Sequence, residues 1–297
     1  MGIIKNVFLT GASGYLGSNL LLRLVQEGYS VSILLRRSSK ITRIESVLEK
    51  ITIYYTDDFD IDTCFTNKHY DAIIHTAASY GRSLNDLSEV LEPNLLLPLK
   101  LLQVAIKNGV TLFVNTDTSL PRALNSYALS KKQFNDWLQF YSNKIAIINI
   151  ELEYFYGSGD DSWKFVNNVI HKFLTKASSI DFTEATQERD FIYIDDVVDA
   201  YLLLLEQKSI FSSFSNIELG SGEVYVLKNL ILTLQELCFG EATKLNFGAI
   251  PTRNNEIMHS VADIGILRDL GWHPKYSLES GLKITIDNEK KHIYGIS

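Results

Sequence analysis

The chain has 297 residues, 46% of them hydrophobic, a net charge of −7 and a pI near 5.4. That is enough apolar material for a large core, or a core with a smaller lobe. The acidic balance argues against a nucleic-acid backbone as the main partner, and no apolar run reaches the roughly 18 residues of a membrane span. Cys64 and Cys238 lie far apart in no metal-ligand spacing, which reads as two packed thiols in a reducing compartment. The first strand begins almost at Met1, without a basic stretch and small-residue cleavage site, so the expectation is a cytoplasmic protein with no secretory leader.

In chain order, the first feature is Val7-Phe8-Leu9-Thr10-Gly11-Ala12-Ser13-Gly14-Tyr15-Leu16-Gly17. An apolar strand meets a glycine turn, and Leu16, Leu20, Leu21, Leu24 and Val25 follow at helical spacing. Gly11 suits the tight turn, Gly14 leaves the backbone open to a ligand, and Gly17 lets helix and sheet approach. This is a variant of the dinucleotide-binding fingerprint, in which backbone amides of Ser13, Tyr15 and Leu16 at the helix start face a pyrophosphate. Its context, after a strand and before a helix, makes it specific.

Ser30–Leu35 reads as the second strand, ending at Arg36-Arg37. An acid here would bind the ribose hydroxyls of NAD, whereas arginine accommodates the 2′-phosphate of NADP. The pair therefore points to NADPH, with a solvated basic loop as the plain alternative. Ile51–Tyr55 is the third strand, and Asp57-Asp58 after it is either an adenine contact or ordinary loop charge. Asp71–Ala78 is the fourth, ending in Ala77 and Ala78, small enough for a cofactor to lie across them. A helix is predicted over Pro93–Lys107, with Pro98 tolerated near its first turn.

Thr111–Asn115 is the fifth predicted strand, running out into Thr116-Asp117-Thr118-Ser119. A helix opening at Ser126 then carries Tyr127 and Lys131, four apart and on one face. A phenol of pKa near 10 is a poor acid–base group at neutral pH, and a nearby ammonium favours the phenolate. A Thr or Ser hydroxyl opposite would hydrogen-bond a reacting carbonyl oxygen. Lys144–Ile150 is the sixth strand, Trp163–Lys176 and Asp195–Glu206 read as helices, and Ser277–Asn288 as the last one. Strands alternating with helices predict an α/β, Rossmann-type, doubly wound parallel sheet over residues 1–155. Residues 156–297 are expected to form a smaller C-terminal α/β lobe, part of the chain returning to the sheet. None of the six histidines has metal spacing, so no metal is expected.

The glycine fingerprint, Tyr127 with Lys131, and Arg189-Asp190-Phe191-Ile192-Tyr193-Ile194-Asp195-Asp196 together resemble the extended short-chain dehydrogenase/reductase family. The resemblance implies a substrate lobe that binds a nucleotide-diphosphate sugar. It implies Tyr127 as the acid–base residue, Lys131 as its activator and a ribose contact, and Thr116 as the catalytic hydroxyl. It puts Asn94 on the family's structural asparagine in the preceding helix, at the cofactor, and Arg189 and Arg253 on the diphosphate; a pair of surface salt bridges is the alternative for the two arginines. It also implies a homodimer through the Pro93–Lys107 and Tyr127–Tyr141 helices.

The segments Asn115–Pro121, Glu151–Gly157 and Asn255–Met258 are similar to those of the CDP-paratose and CDP-abequose synthase group. Members of that group reduce the 4-keto group of CDP-4-keto-3,6-dideoxyglucose with NADPH. Asp117 and Thr118 fall where the family meets the sugar; 4,6-dehydratases carry Asp-Glu there, and Thr118 replaces the Glu, which disfavours elimination. The reading is an NADPH-dependent 4-ketoreductase in the deoxysugar supply for a lipopolysaccharide O-antigen. Its rivals are an NAD-dependent nucleotide-sugar epimerase and a non-catalytic NADP(H) sensor.

Overall fold

The computed structural model describes residues 4–57, 61–66, 68–81, 87–211 and 213–295. The chain divides into two compact units, one of residues 1–152 with 198–218, the other of residues 153–197 with 219–297.

The first unit is built on a seven-stranded sheet. Its strands are β1 (Asn6–Thr10), β2 (Ser30–Leu35), β3 (Thr52–Tyr55), β4 (Ala72–His75), β5 (Leu112–Thr118), β6 (Ala146–Leu152) and the returning segment Phe214–Leu219. The order is β3-β2-β1-β4-β5-β6 followed by Phe214–Leu219, and the pairings described from β3 to β6 are all parallel. Parallel strands are covered on both faces and so read as apolar runs; Val7, Phe8 and Leu9 of β1 and Ile73 and Ile74 of β4 are all fully buried. The order reverses between β1 and β4, which opens the crevice where ligands of such sheets bind.

The helices of this unit are α1 (Tyr15–Gln26), α2 (Ile61–Thr66), α3 (Ser88–Leu91), α4 (Leu97–Lys107) and α5 (Ser126–Tyr141). Phe113 of β5 and Ile147 of β6 share a core with Leu101, Leu102 and Ala105 of α4 and Phe134 and Leu138 of α5. Each such fully buried side chain contributes on the order of 1.5–3 kcal/mol. The α5 start is fixed by Asn125, whose side chain accepts from Ala128 N at 2.8 Å, an N-cap worth about 1 kcal/mol.

Three elements differ from expectation, and one lies where nothing was predicted. The helix predicted from Pro93 begins at Ser88 and passes through a wide π-turn at Glu92–Leu96 before α4. Pro93 and Pro98 lack the N–H groups that Glu89 and Asn94 carbonyls would use, and the widened turn absorbs the loss. Thr42–Lys50, between β2 and β3, is a 3₁₀ helix that buries Ile44 and Val47. The strand β5 runs three residues beyond Asn115, because β6 pairs with it as far as Thr118 opposite Leu152; Thr116, Asp117 and Thr118 are strand residues, not loop. The last helix runs over Leu278–Tyr294, six residues further than predicted, and ends at Gly295 in the left-handed conformation.

The second unit has three two-stranded sheets. Tyr154–Tyr156 pairs with Phe191–Tyr193, Glu188–Arg189 with Tyr225–Val226, and Ser179–Asp181 with Lys244–Asn246. Helices Phe165–Leu174, Leu227–Leu237 and Leu278–Tyr294 accompany them. Asp190 is a buried hub: its carboxylate accepts from Ser221 N and Oγ, Gly222 N and Ala262 N.

Candidate active site

The glycine turn behaves as a cradle. Gly11 has φ +76° and packs so closely on Thr76 and Ala77 that a Cβ there would lie 2.5 Å from Ala77 N. A Cβ at Gly17 would overlap the Gly11 carbonyl oxygen. Gly14 N donates to Gly11 O at 2.9 Å and Gly14 caps α1, so the amides of Tyr15, Leu16 and Gly17 open the helix without intrahelical acceptors. Gly14 and the neighbouring Ala78 are exposed, while Ser13 and Ala77 are half-buried. This geometry fits a dinucleotide pyrophosphate.

At the end of β2, Arg36 and Arg37 are exposed. The Arg37 guanidinium lies 4.9 Å above the Tyr55 ring, and Arg37 N donates to Asp57 Oδ2 at 3.0 Å. Asp57 thus ties the β3 end to the arginine turn; Asp58 lies outside the described residues. Tyr55 and Asp57 place both loops beside the arginines, where no carboxylate replaces them at the strand end.

Tyr127 stands in the first turn of α5, half-buried, with the Tyr80 ring 4.8 Å from its own. Lys131, one turn on, is fully buried and makes no hydrogen bond or ion pair among the described residues. An ammonium buried in this way has a desolvation cost that a hydrogen-bonding ligand would offset, and a ribose diol is such a ligand. Burial, and after it the charge of Asp117 acting the other way, leave the Lys131 ammonium lowered to about 8. Burial also pushes the Tyr127 phenol well above its ordinary value, helped by Tyr80 and Asp117 and opposed by the Thr118 hydroxyl. The expectation that Lys131 lowers the phenol is therefore corrected: in the protein itself desolvation dominates, and the proton stays on Tyr127.

Two further expectations change. Asp117, expected at the sugar, is buried; Oδ1 accepts from Thr118 N, and Oδ2 from Lys132 Nζ at 3.1 Å, Asn149 Nδ2 at 3.1 Å and Asn135 Nδ2 at 3.4 Å. Strand alternation sends it to the opposite face from Thr116 and Thr118, where Lys132 also meets Glu151 at 2.6 Å. Asn94 is fully buried and has the structural role expected of it, but its side chain is spent on the protein and not on the cofactor: Oδ1 accepts from Ser79 N, and Nδ2 donates to Ser79 O and Ser130 Oγ. Ser130 Oγ in turn donates to the Tyr127 carbonyl at 2.8 Å, so Asn94 holds the segment after β4 against the first turn of α5. Thr116, expected as the catalytic hydroxyl, is half-buried, with Oγ1 2.7 Å from Tyr201 Oη, either of which can be the donor.

In the second unit, Arg189 is buried, with Nη2 2.7 Å from Glu256 Oε1, Nη1 donating to Glu188 O, and the guanidinium 5.5 Å from the Tyr154 ring centre. Its fork is already committed, whereas Arg253 is exposed. The two arginines are not equivalent, as the sequence alone suggested.

Sequence reasoning did not single out Tyr80, Tyr201, Lys132 or Glu256 for this network. Tyr80 follows β4 at its carboxyl end, so the rule that ligands sit beyond those ends could have found it. Tyr201 and Glu256 carry no local signal; only the tertiary fold pairs them with Thr116 and Arg189. Among the described residues no group of His, Cys, Asp and Glu could hold a metal, and no helix is long and apolar enough to cross a membrane. Cys64 and Cys238 are buried free thiols.

Known proteins resemble this chain in sequence and in fold. The CDP-abequose synthase of Salmonella muenchen is 33% identical over 95% of this chain and 97% of its own. The UDP-glucose 4-epimerase of Thermotoga maritima, solved with UDP-glucose, superposes with a TM-score of 0.84 at 22% identity, over 97% of this chain and 99% of that one. The Thermus thermophilus UDP-glucose 4-epimerase, solved with NAD, gives 0.77 at 21% identity, over 95% and 98%. Residues 7–220 match the NAD dependent epimerase/dehydratase family, and with the Rossmann-type sheet and glycine cradle the chain belongs to that family of extended short-chain dehydrogenases/reductases.

Proposed function

We propose that this enzyme reduces the 4-keto group of a nucleotide-diphosphate-linked deoxysugar, of the CDP-4-keto-3,6-dideoxyglucose type, with NADPH. The observation that carries the reading is Tyr127 and Lys131 together on α5, beside a cradle whose neighbouring strand ends in Arg36 and Arg37. The likeness to CDP-abequose synthase supports the sugar class and a role in O-antigen sugar supply.

Reduced nicotinamide, when bound, supplies the hydride. Gly11, Ser13, Gly14, Tyr15, Leu16 and Gly17 would hold its pyrophosphate, Arg36 and Arg37 its 2′-phosphate, and Lys131 its ribose. Tyr127 is the proton donor. Ketone reduction requires a phenol that is protonated at the start, and burial holds the proton on Tyr127. Asp117, turned into a buried network with Lys132, supplies no acid for elimination. Exposed Arg253 would meet the sugar diphosphate, while Arg189 would do so only by exchanging its Glu256 partner. A homodimer in the cytoplasm completes the reading; α5 exposes Leu129, Trp137 and Phe140, an apolar stripe suited to a second copy.

The test is NADPH absorbance with a panel of nucleotide-linked 4-keto-6-deoxy and 4-keto-3,6-dideoxy sugars. Oxidation of NADPH in preference to NADH, lost by at least about 100-fold in Tyr127→Phe with NADPH binding intact, is the expected result. Epimerisation of a nucleotide sugar by protein purified with NAD would replace this reading; the solved epimerases of the same fold are the observation that favours that second reading.

A further inference from the structure

The backbone of Tyr127 is fixed from within α5. Asn125 caps the helix by accepting from Ala128 N, and Ser130 Oγ donates to the Tyr127 carbonyl at 2.8 Å. The ring is another matter, because the terminal torsion of a tyrosine is intrinsically broad and has to be held by packing. Its packing partner is Tyr80: the two ring centroids are 4.8 Å apart, with the planes tilted by 36°. That separation lies within the range of attractive aromatic pairs.

Tyr80 is itself presented by a clamped backbone. On one side, Ser79 N donates to Asn94 Oδ1 and Ser79 O accepts from Asn94 Nδ2, each at 2.8 Å. On the other side, Gly81 has φ +61°, and a Cβ there would lie 2.5 Å from Val90 Cγ2 on α3 and 3.4 Å from Ser126 Oγ at the start of α5. Asn94 also donates to Ser130, so one buried side chain ties together the two backbones that carry the paired rings. Tyr80 is nevertheless 44% exposed, so burial of its own ring does not account for this clamping. It stands beyond the carboxyl end of β4, where ligands of such sheets bind.

Resting on the reading of Tyr127 as the proton donor of a ketone reduction, we infer that Tyr80 is a positioning residue for that donor: its ring packs on the Tyr127 ring, holds the phenol in one orientation and keeps water from it. A donor displaced by about 1 Å loses on the order of 100-fold in rate, which is the scale of what the contact protects. The ring carries the role and not the hydroxyl, since a phenylalanine would make the same contact. The phenol is held protonated by burial first, then by Tyr80, Asp117 and Tyr201, against the Thr118 hydroxyl, with Lys131 one turn on along α5. Removing the Tyr80 ring admits water, which favours the phenolate. The acid form is then lost at a lower pH.

The experiment compares Tyr80→Ala with Tyr80→Phe. NADPH-driven turnover against pH, NADPH affinity by fluorescence, and the Cζ resonance of Tyr127 in ¹³C-tyrosine-labelled protein are read, the resonance being assigned by Tyr127→Phe. Tyr80→Ala is expected to lower kcat by about 30- to 100-fold with NADPH affinity unchanged. It should also move the alkaline fall of kcat, and the titration of the Tyr127 resonance, to lower pH. Tyr80→Phe should restore most of kcat and the wild-type titration. A kcat in Tyr80→Ala within about threefold of wild type, a loss confined to the sugar KM, or an unmoved Tyr127 titration overturns the inference. So does a Tyr80→Phe as impaired as Tyr80→Ala, which would assign the role to the hydroxyl. If the wild type oxidises NADPH with no 4-keto sugar, the reductase reading fails by itself, and the Tyr127 titration in Tyr80→Ala still decides whether the Tyr80 ring shields the phenol.

Discussion

The buried ammonium of Lys131 sets the chemistry at the smallest scale. In the unfolded chain a lysine titrates near 10.4; in the fold its value is lowered to about 8. Between those values the unfolded state binds more protons than the folded one, so stability rises with pH across that window. Below about pH 8 the charged amine costs the free protein on the order of 3 kcal/mol, from 1.36 kcal/mol per pKa unit. Lys131→Met should therefore raise the melting temperature of the cofactor-free protein at pH 7 and flatten its rise between pH 8 and 10, followed by calorimetry. On the proposed reading, in which Lys131 holds the cofactor ribose, the same variant should also weaken NADPH binding. A melting temperature at pH 7 unchanged by the substitution would show that Lys131 is not held at a cost.

Among the elements, the junction of the segment after β4 with α5 matters most. Asn94 makes three hydrogen bonds there, to both backbone groups of Ser79 and to Ser130, and Ser130 bonds the Tyr127 carbonyl. Removing it leaves buried polar groups without partners, each costing about 1–3 kcal/mol. Asn94→Leu is expected to lower stability by roughly 2–4 kcal/mol in urea unfolding while changing NADPH affinity little. A residue that touched the cofactor would show the opposite pattern. The polar network on the other side of α5 is built the same way: Asn115 Nδ2 donates to Asn149 Oδ1, Asn149 Nδ2 to Asn216 Oδ1, and Lys132 bridges Asp117 and Glu151. These bonds tie β5, β6 and α5 together.

For the molecule as a whole, the exposed face of α5 makes a prediction about assembly. Phe140 is 71% exposed and Trp137 43%, and their rings meet edge to face. A monomer that left them in water would forgo the burial of two large aromatic surfaces. Light scattering of the wild type should give twice the chain mass, and Trp137→Lys with Phe140→Lys should give a single chain that still binds NADPH. A wild type that stays monomeric at high concentration would remove the dimer.

The fold was legible in the sequence because its signals are local. The apolar run of β1, the glycines of the turn and the amphipathic start of α1 each act within a few residues, and the alternation of strands and helices dictates a parallel sheet. Tyr127 and Lys131 were legible for the same reason, since helical spacing puts them on one face. What each polar side chain does with its hydrogen bonds was not legible, because its partner lies far along the chain. Thr116 meets Tyr201, Asn94 meets Ser79 and Ser130, Asp117 meets Lys132 and Asn149, and Arg189 meets Glu256. The sequence by itself determined the sheet, the cradle and the shared helix of Tyr127 and Lys131. Only the tertiary structure decided which partner each polar side chain keeps, because burial leaves each polar group needing one specific distant partner, and those partners are chosen by packing.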